Sequence, residues 1–319
     1  MEIKLLNLAV GLSLLLAISN SNAQVLEVKG KANSDYAQTK YPLLFVHGMF
    51  GFSKLGTPEF GMDYWYQILP DLKRNGARPF AAQLSPLNST EVRGEQLLQD
   101  IDDVLALTGQ DKINLIGHSH GGPTARYISG VAPEKVASIT TVGGSNFGSP
   151  IADFVQGAKP LNTIFASIVD YMISPIISFS QLRSNLPSDF KASIHDLTYN
   201  GSQAFNAKFP LGLPTEECGS GPDSADGISF YSWTGTAITT NIFDPDTTLT
   251  AAGFIAFNGQ KNDGLVSQCS SKFGKTIRDD YKLNHFDEVN QVLGLKSWTA
   301  PDPVSLYRQH ANRLKLEGL

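Results

Sequence analysis

A doubly wound α/β fold with a mainly parallel sheet is predicted by three observations on this sequence. Helix-type and strand-type patterns alternate along the chain. An early apolar run ends in a His-Gly turn, and a later one turns through Gly-His-Ser-His-Gly into a helix. Alternation of this kind builds right-handed βαβ units, whose strands lie parallel.

Residues 1–23 stand apart from that fold. Lys4 gives a positive start, Leu5 to Ile18 form an apolar core, and Ser21-Asn22-Ala23 supplies small residues before a cut at Ala23–Gln24. This reads as a secretory signal, too short for a membrane span with its flanks. No linker, repeat or low-complexity tract divides the remainder, so residues 24–319 read as one domain.

Tyr41 to Val46 is a continuous apolar run of buried-strand type. Asp63 to Asn75 has helical spacing and stops at Gly76, and Pro79 to Leu84 is a short apolar strand. Glu91 to Thr108 places Val92, Leu97, Leu98, Ile101, Val104 and Leu105 on one face, an amphipathic surface helix. Ile113 to Ile116 is the strand before the Gly-His-Ser turn, and Pro123 to Ile128 the helix after it. Val136 to Val142 and Ile228 to Trp233 add strands, and Val304 to Leu316 a terminal helix.

Leu161 to Leu182 breaks the alternation. It is apolar nearly all round, with Asp170 its only charge and Pro175 in its course. Those two residues argue against a membrane span. A buried core helix and a lid over the active site both fit. Its position at the carboxyl edge of the sheet favours a lid over about residues 160–183.

A net charge of −5 gives no reason to expect a nucleic-acid partner. The two cysteines, Cys218 and Cys269, in an exported chain read as one disulfide.

Gly117-His118-Ser119-His120-Gly121-Gly122 carries the chemistry. It matches G-x-S-x-G, in which a sharp strand-to-helix turn presents a serine nucleophile and leaves no room for side chains two residues either way. The early strand ends in His47-Gly48-Met49, a loop placed to help bind an oxyanion. That assigns the oxyanion donors to the main-chain N–H groups of Met49 and His120, with His47 as a loop-ordering residue.

A serine hydroxyl needs a histidine base, itself oriented by a carboxylate, in the chain order Ser, acid, His. His195, His285 and His310 follow Ser119. His310 falls within the terminal helix, and His195 leaves few residues for an acid-bearing strand, so His285 is assigned as base. Asp223, Asp226, Asp244, Asp246 and Asp263 lie in the allowed interval. Asp263 leads, because Asn262-Asp263-Gly264-Leu265-Val266 reads as a tight turn opening onto a strand-like run. Glu288, three residues past His285, is its rival.

Taken together these segments resemble the secreted true lipases of Gram-negative bacteria, the Pseudomonas-type, foldase-dependent group. Phe45 to Met49, Gly117 to Gly122, Asn262 to Val266, Asn284 to Gln291 and Tyr307 to Leu314 carry the likeness. The resemblance implies an α/β-hydrolase fold with a helical lid, and triacylglycerol hydrolysis by Ser119, Asp263 and His285. It also implies an oxyanion hole at Met49 and His120, a Cys218–Cys269 disulfide and a periplasmic foldase as partner. It further implies one structural Ca2+ held by the side chains of Asp244 and Asp287 and the carbonyls of Gln291 and Leu295. Oxygen donors of that kind suit a hard cation.

Gly143 to Ser149 departs from the family pattern, which leaves substrate range open. A carboxylesterase or polyester depolymerase using the same triad is the alternative enzyme. A non-catalytic binding protein of the same fold is the rival from another class, and it normally lacks one triad member.

Overall fold

The computed structural model describes residues 25–56, 61–157, 186–241, 253–254 and 256–319. The expected signal segment, the expected lid at 160–183 and Asp244 lie outside the described residues.

Among the described residues the chain forms an eight-stranded sheet in the order β1-β5-β2-β6-β7-β9-β10, with β8 against β9. Its parallel body consists of β5 (Pro79–Ala81), β2 (Leu43–Val46), β6 (Ile113–His118), β7 (Val136–Val142), β9 (Ile228–Gly235) and β10 (Lys275–Tyr281). Two short antiparallel strands, β1 (Leu26–Glu27) and β8 (Ser224–Ala225), flank it. A small hairpin, β3 (Lys54–Gly56) with β4 (Gly61–Asp63), stands apart. Every residue of β2, β6 and β7 is buried, which explains why these strands read as continuous apolar runs without alternation.

Among the described residues the main helices are α1 (Ile68–Arg74), α2 (Thr90–Thr108), α3 (Gly121–Val131), α4 (Pro150–Gly157), α5 (Phe190–Leu197), α6 (Tyr199–Lys208) and α7 (Pro303–Leu316). Two apolar clusters cover the two faces of the sheet. One joins Leu44, Phe80, Leu115 and Phe230 to Ile101 of α2 and Ile128 of α3. The other joins Phe45, Ile116 and Trp233 to Leu72 of α1 and Tyr307 of α7. Helices on both faces of a parallel sheet are the layering that the alternation predicts.

Three local expectations differ. Helix α1 begins at Ile68, later than Asp63, because β4 and a turn occupy Gly61 to Gln67. Leu265 and Val266 form no strand; Asn262 and Ser267 are joined by an isolated bridge. In α2 the buried face is phased through Thr90, Arg93, Gly94, Leu97, Asp100, Ile101 and Val104, leaving Val92 exposed. Arg93 takes the inward position because its guanidinium finds three acceptors there.

Candidate active site

Strand β6 ends in a turn that holds Ser119 at φ 56°, a left-handed conformation that non-glycine residues adopt under strain. Its N–H donates to the carbonyl of Val142 at 3.0 Å, and α3 starts two residues later. The turn admits no side chains beside it. A Cβ at Gly117 would lie 2.1 Å from the Gly121 carbonyl oxygen, and one at Gly121 would lie 2.1 Å from the Val46 oxygen.

The loop after β2 packs directly on this serine, since a Cβ at Gly48 would lie 2.8 Å from Ser119 Cβ. Buried groups fix that loop from behind. His47 Nε2 accepts the Leu84 N–H at 3.2 Å, which leaves Nδ1 to donate to the Gly48 carbonyl at 2.8 Å. Arg93 donates to the carbonyls of His47 (2.5 Å) and Ser85 (2.6 Å) and to Thr124 Oγ1 (3.2 Å). Burial, then the Arg93 charge, push the His47 imidazole down to about 3, and burial lowers Arg93 to about 9. A cation buried on carbonyl dipoles and a neutral histidine thus set the loop.

His285 and Asp263, 22 residues apart in sequence, meet side by side. His285 Nδ1 lies 2.8 Å from Asp263 Oδ2, and the His285 N–H donates to the Asp263 carbonyl at 2.9 Å. Asp263 Oδ1 accepts the N–H groups of Leu265 (2.9 Å) and Val266 (2.7 Å), so its turn aims one oxygen and anchors the other. The loop departing from the family pattern is stitched to the acid's loop: Ser149 Oγ donates to Leu265 O at 2.6 Å, and Ser270 Oγ to Gly148 O at 2.6 Å. Cys269 in the same loop is disulfide-bonded to Cys218, with Cα atoms 4.4 Å apart.

Glu288 is fully buried but engaged elsewhere. Its Oε1 accepts the Gly235 N–H (2.5 Å) and the Thr234 hydroxyl (3.1 Å), and its Oε2 lies 3.5 Å from His118 Nε2. Burial, then the neighbouring Asp263, hold its carboxyl well above the usual range. His118 Nε2 lies 2.9 Å from the His285 carbonyl, and its Nδ1 2.7 Å from the Tyr64 hydroxyl. That hydroxyl accepts the Gly48 N–H at 3.1 Å. Burial, then His285, lower the His118 imidazole well below its ordinary range. Tyr64, Arg93 and His118 were not singled out in the sequence, although His118 stands beside the serine at a strand end.

Met49, Ser119 and His285 line one pocket, whose wall is mostly apolar: Phe52, Ile151, Val155, Leu197 and Leu265 face it, with Ser145, Ser149 and Gln291 among the polar residues. The other two candidate bases, His195 and His310, lie elsewhere. His310 is buried with Nε2 2.8 Å from Thr140 Oγ1, and His195 Nδ1 lies 3.1 Å from Gln156 Nε2 on the surface.

Comparison with known proteins decides the family. Residues 41–288 match the model of the alpha/beta hydrolase fold. A triacylglycerol lipase of Vibrio cholerae is 47% identical over 287 residues, covering 89% of this chain and 90% of that one. The chain belongs to the α/β-hydrolase family, among its bacterial triacylglycerol lipases. A triacylglycerol lipase of Burkholderia plantarii is 39% identical over 90% of this hydrolase and 89% of its own length. One from Pseudomonas fragi is 37% identical over 89% and 99%. The crystal structure of a Bacillus licheniformis lipase in mature form superposes with a TM-score of 0.61 at 17% identity, covering 83% and 92%. At that identity the likeness concerns the fold alone.

Two sets of residues bear on a metal in this hydrolase. His118, His285 and Glu288 are buried with ligand atoms within 4.8 Å of one another, a group that can hold a metal ion. Its two imidazoles favour a softer ion than calcium. Asp287 fits calcium better. Its carboxyl is buried, with Oδ2 accepting the Asn284 N–H at 3.1 Å, on a loop continuing to Gln291 and Leu295. Among the described residues no helix is long and apolar enough to cross a membrane.

Proposed function

We propose that this lipase hydrolyses triacylglycerol esters with Ser119 as nucleophile, His285 as base and Asp263 as its orienting acid. The observation that carries the reading is the 2.8 Å contact between His285 Nδ1 and Asp263, with His285 and Ser119 lining one mostly apolar pocket. Ser119 Oγ attacks the ester carbonyl while His285 Nε2 takes its proton, and the main-chain N–H groups of Met49 and His120 hold the oxyanion. The imidazolium, stabilised by Asp263, returns the proton to the leaving alcohol. Water, activated by the same imidazole, then releases the fatty acid and regenerates Ser119. The apolar wall suits an acyl chain and offers little to a polar substrate.

One catalytic domain over residues 24–319 accounts for a sheet whose strands run from Leu26 to Tyr281. Calcium would be held by Asp244, Asp287 and the carbonyls of Gln291 and Leu295, where it would brace the His285 loop without touching substrate. Export with a dedicated foldase agrees with the disulfide and with the family likeness. The test is Ser119→Ala: a protein of parental melting temperature should lose several orders of magnitude of activity on emulsified long-chain triacylglycerol. Near-parental turnover would remove Ser119 from the mechanism. A preference for soluble short-chain esters over the emulsion would move the assignment to a carboxylesterase.

A further inference from the structure

The loop that follows the catalytic histidine ends in a group of apolar side chains with no place in the core. Leu293, Leu295 and Trp298 are 57%, 41% and 98% exposed, and Lys296 is the one ionisable residue from Val292 to Trp298. Large apolar side chains gathered on one surface loop mark a contact site more often than chance exposure does.

This loop is held firmly at its base. Asn290 Nδ2 donates to the Tyr66 carbonyl at 2.9 Å, and Gln291 Nε2 to the Asp63 carbonyl at 2.6 Å, both from buried residues. Within it the N–H of Gly294 donates to Asn290 O at 2.9 Å, and that of Leu295 to Val292 O at 3.0 Å. Leu293 sits at φ 55°, a conformation costly for a branched, bulky residue, and it does so with its side chain in solvent. A fixed base and a strained leucine aimed outward describe a presented surface.

Position names the occupant. Gln291 and Val292 line the catalytic pocket, and Leu293 is the next residue. Trp298, five residues further, is at most about 18 Å from Leu293 along the chain. Helix α4 lines the same pocket and repeats the pattern: Ile151 and Val155 face the cavity while Phe154 is exposed. We propose that Val292–Trp298 is a lipid-docking loop, which seats the enzyme on a triacylglycerol surface at the pocket rim. The choice of occupant rests on the lipase reading, because a water-insoluble ester reaches the pocket only from such a surface. An indole belongs at a lipid–water boundary, and Lys296 can keep its ammonium in water above it.

The chain's own tryptophans supply the probe. Trp65 and Trp233 are buried, so a change in indole emission on lipid binding reports on Trp298. Ser119→Ala protein is mixed with emulsified triolein, floated with the droplets, and its emission recorded. The expected result is a blue shift on adsorption. In the same background Leu293→Ser should weaken the shift, and Trp298→Ser should partition at least tenfold more weakly. Both variants should keep the parental melting temperature, since Leu293 and Trp298 belong to neither core cluster. Adsorption with unaltered emission, or variants that float as well as the parent, would place the contact on another face. A dimer in lipid-free buffer that Trp298→Ser dissolves would give the loop to a second copy and overturn the proposal. If the Ser119→Ala protein still hydrolysed triolein, the triad assignment would fail while the adsorption result stood.

Discussion

Asp263 presents one carboxylate oxygen to His285 Nδ1 at 2.8 Å, whereas Glu288, equally buried, turns both oxygens away to Gly235, Thr234 and His118. Two carboxyls near one imidazole compete for the role of acid, and geometry separates them. Asp263→Asn should lower kcat by about 10³- to 10⁴-fold, because an amide no longer stabilises the imidazolium. Glu288→Gln keeps the shape of a group whose ionisation is already suppressed, and should cost less than about tenfold. Steady-state kinetics on a soluble ester decide the matter. The reverse ranking would move the acid to Glu288.

These assignments show how far the sequence reaches. Strands β2, β6 and β7 were legible because burial on both faces makes them uninterrupted apolar runs. Strand β10, Lys275–Tyr281, was missed: it is an edge strand rich in charge, and its pattern suggests solvent more than sheet. The Asp263 turn was legible from Asx-turn chemistry, yet the run after it makes no strand. Arg93 was hidden for a different reason. A charged residue on a helix is read as outward, and only the converging carbonyls of His47 and Ser85 make it a buried clamp. Nor can spacing reveal that His118 packs on the His285 carbonyl from within the core, or that Glu288 turns to Gly235 and Thr234.

Tyr64 and His118 form a hydrogen-bonded chain between the Gly48 N–H and the His285 carbonyl. The directions are consistent: Gly48 donates to Tyr64, the phenol donates to His118 Nδ1, and Nε2–H donates to His285. The chain thereby ties the loop facing the serine to the loop carrying the base. Tyr64→Phe leaves the Gly48 N–H without its acceptor and should reduce kcat on a soluble ester by about ten- to a hundredfold, with KM changing less. Equal loss in both parameters would indicate altered substrate binding in place of altered positioning.

Calcium is testable through mass action. An ion that binds only the folded chain adds to its stability, so chelator should lower the melting temperature and calcium restore it. Asp287→Asn should already melt lower and respond weakly to chelator. Indifference of the parent protein to chelator and added calcium would remove the site.

Stability should pass through a maximum near pH 6.5, for reasons that lie in the core. His47, His118, His120 and His310 are buried and held neutral, His47 down to about 3. Below pH 6.5 the unfolded chain takes up protons on these histidines that the folded chain refuses, so stability falls as pH falls. Asp100 acts in the opposite sense, as does Glu288, whose carboxyl is also held by burial well above its ordinary range. Burial pushes the Asp100 carboxyl up to about 8, with Asp103 adding to the rise and the Gln83 N–H opposing it. Between its unfolded value of 3.8 and about 8, the folded chain keeps a proton that the unfolded chain has lost, so stability falls as pH rises. Each group contributes up to about 1.4 kcal/mol per pH unit within its window. Four histidines outweigh these two carboxyls below pH 6.5, and above it the histidines no longer contribute. Urea unfolding from pH 5 to 8.5 should therefore show a rise followed by a shallower decline. Asp100→Asn removes one titrating proton but keeps an acceptor for Gln83, and it should make the decline shallower, with Glu288 retaining the rest, and leave the acid limb in place. A decline equally steep in that variant would take Asp100 out of the account.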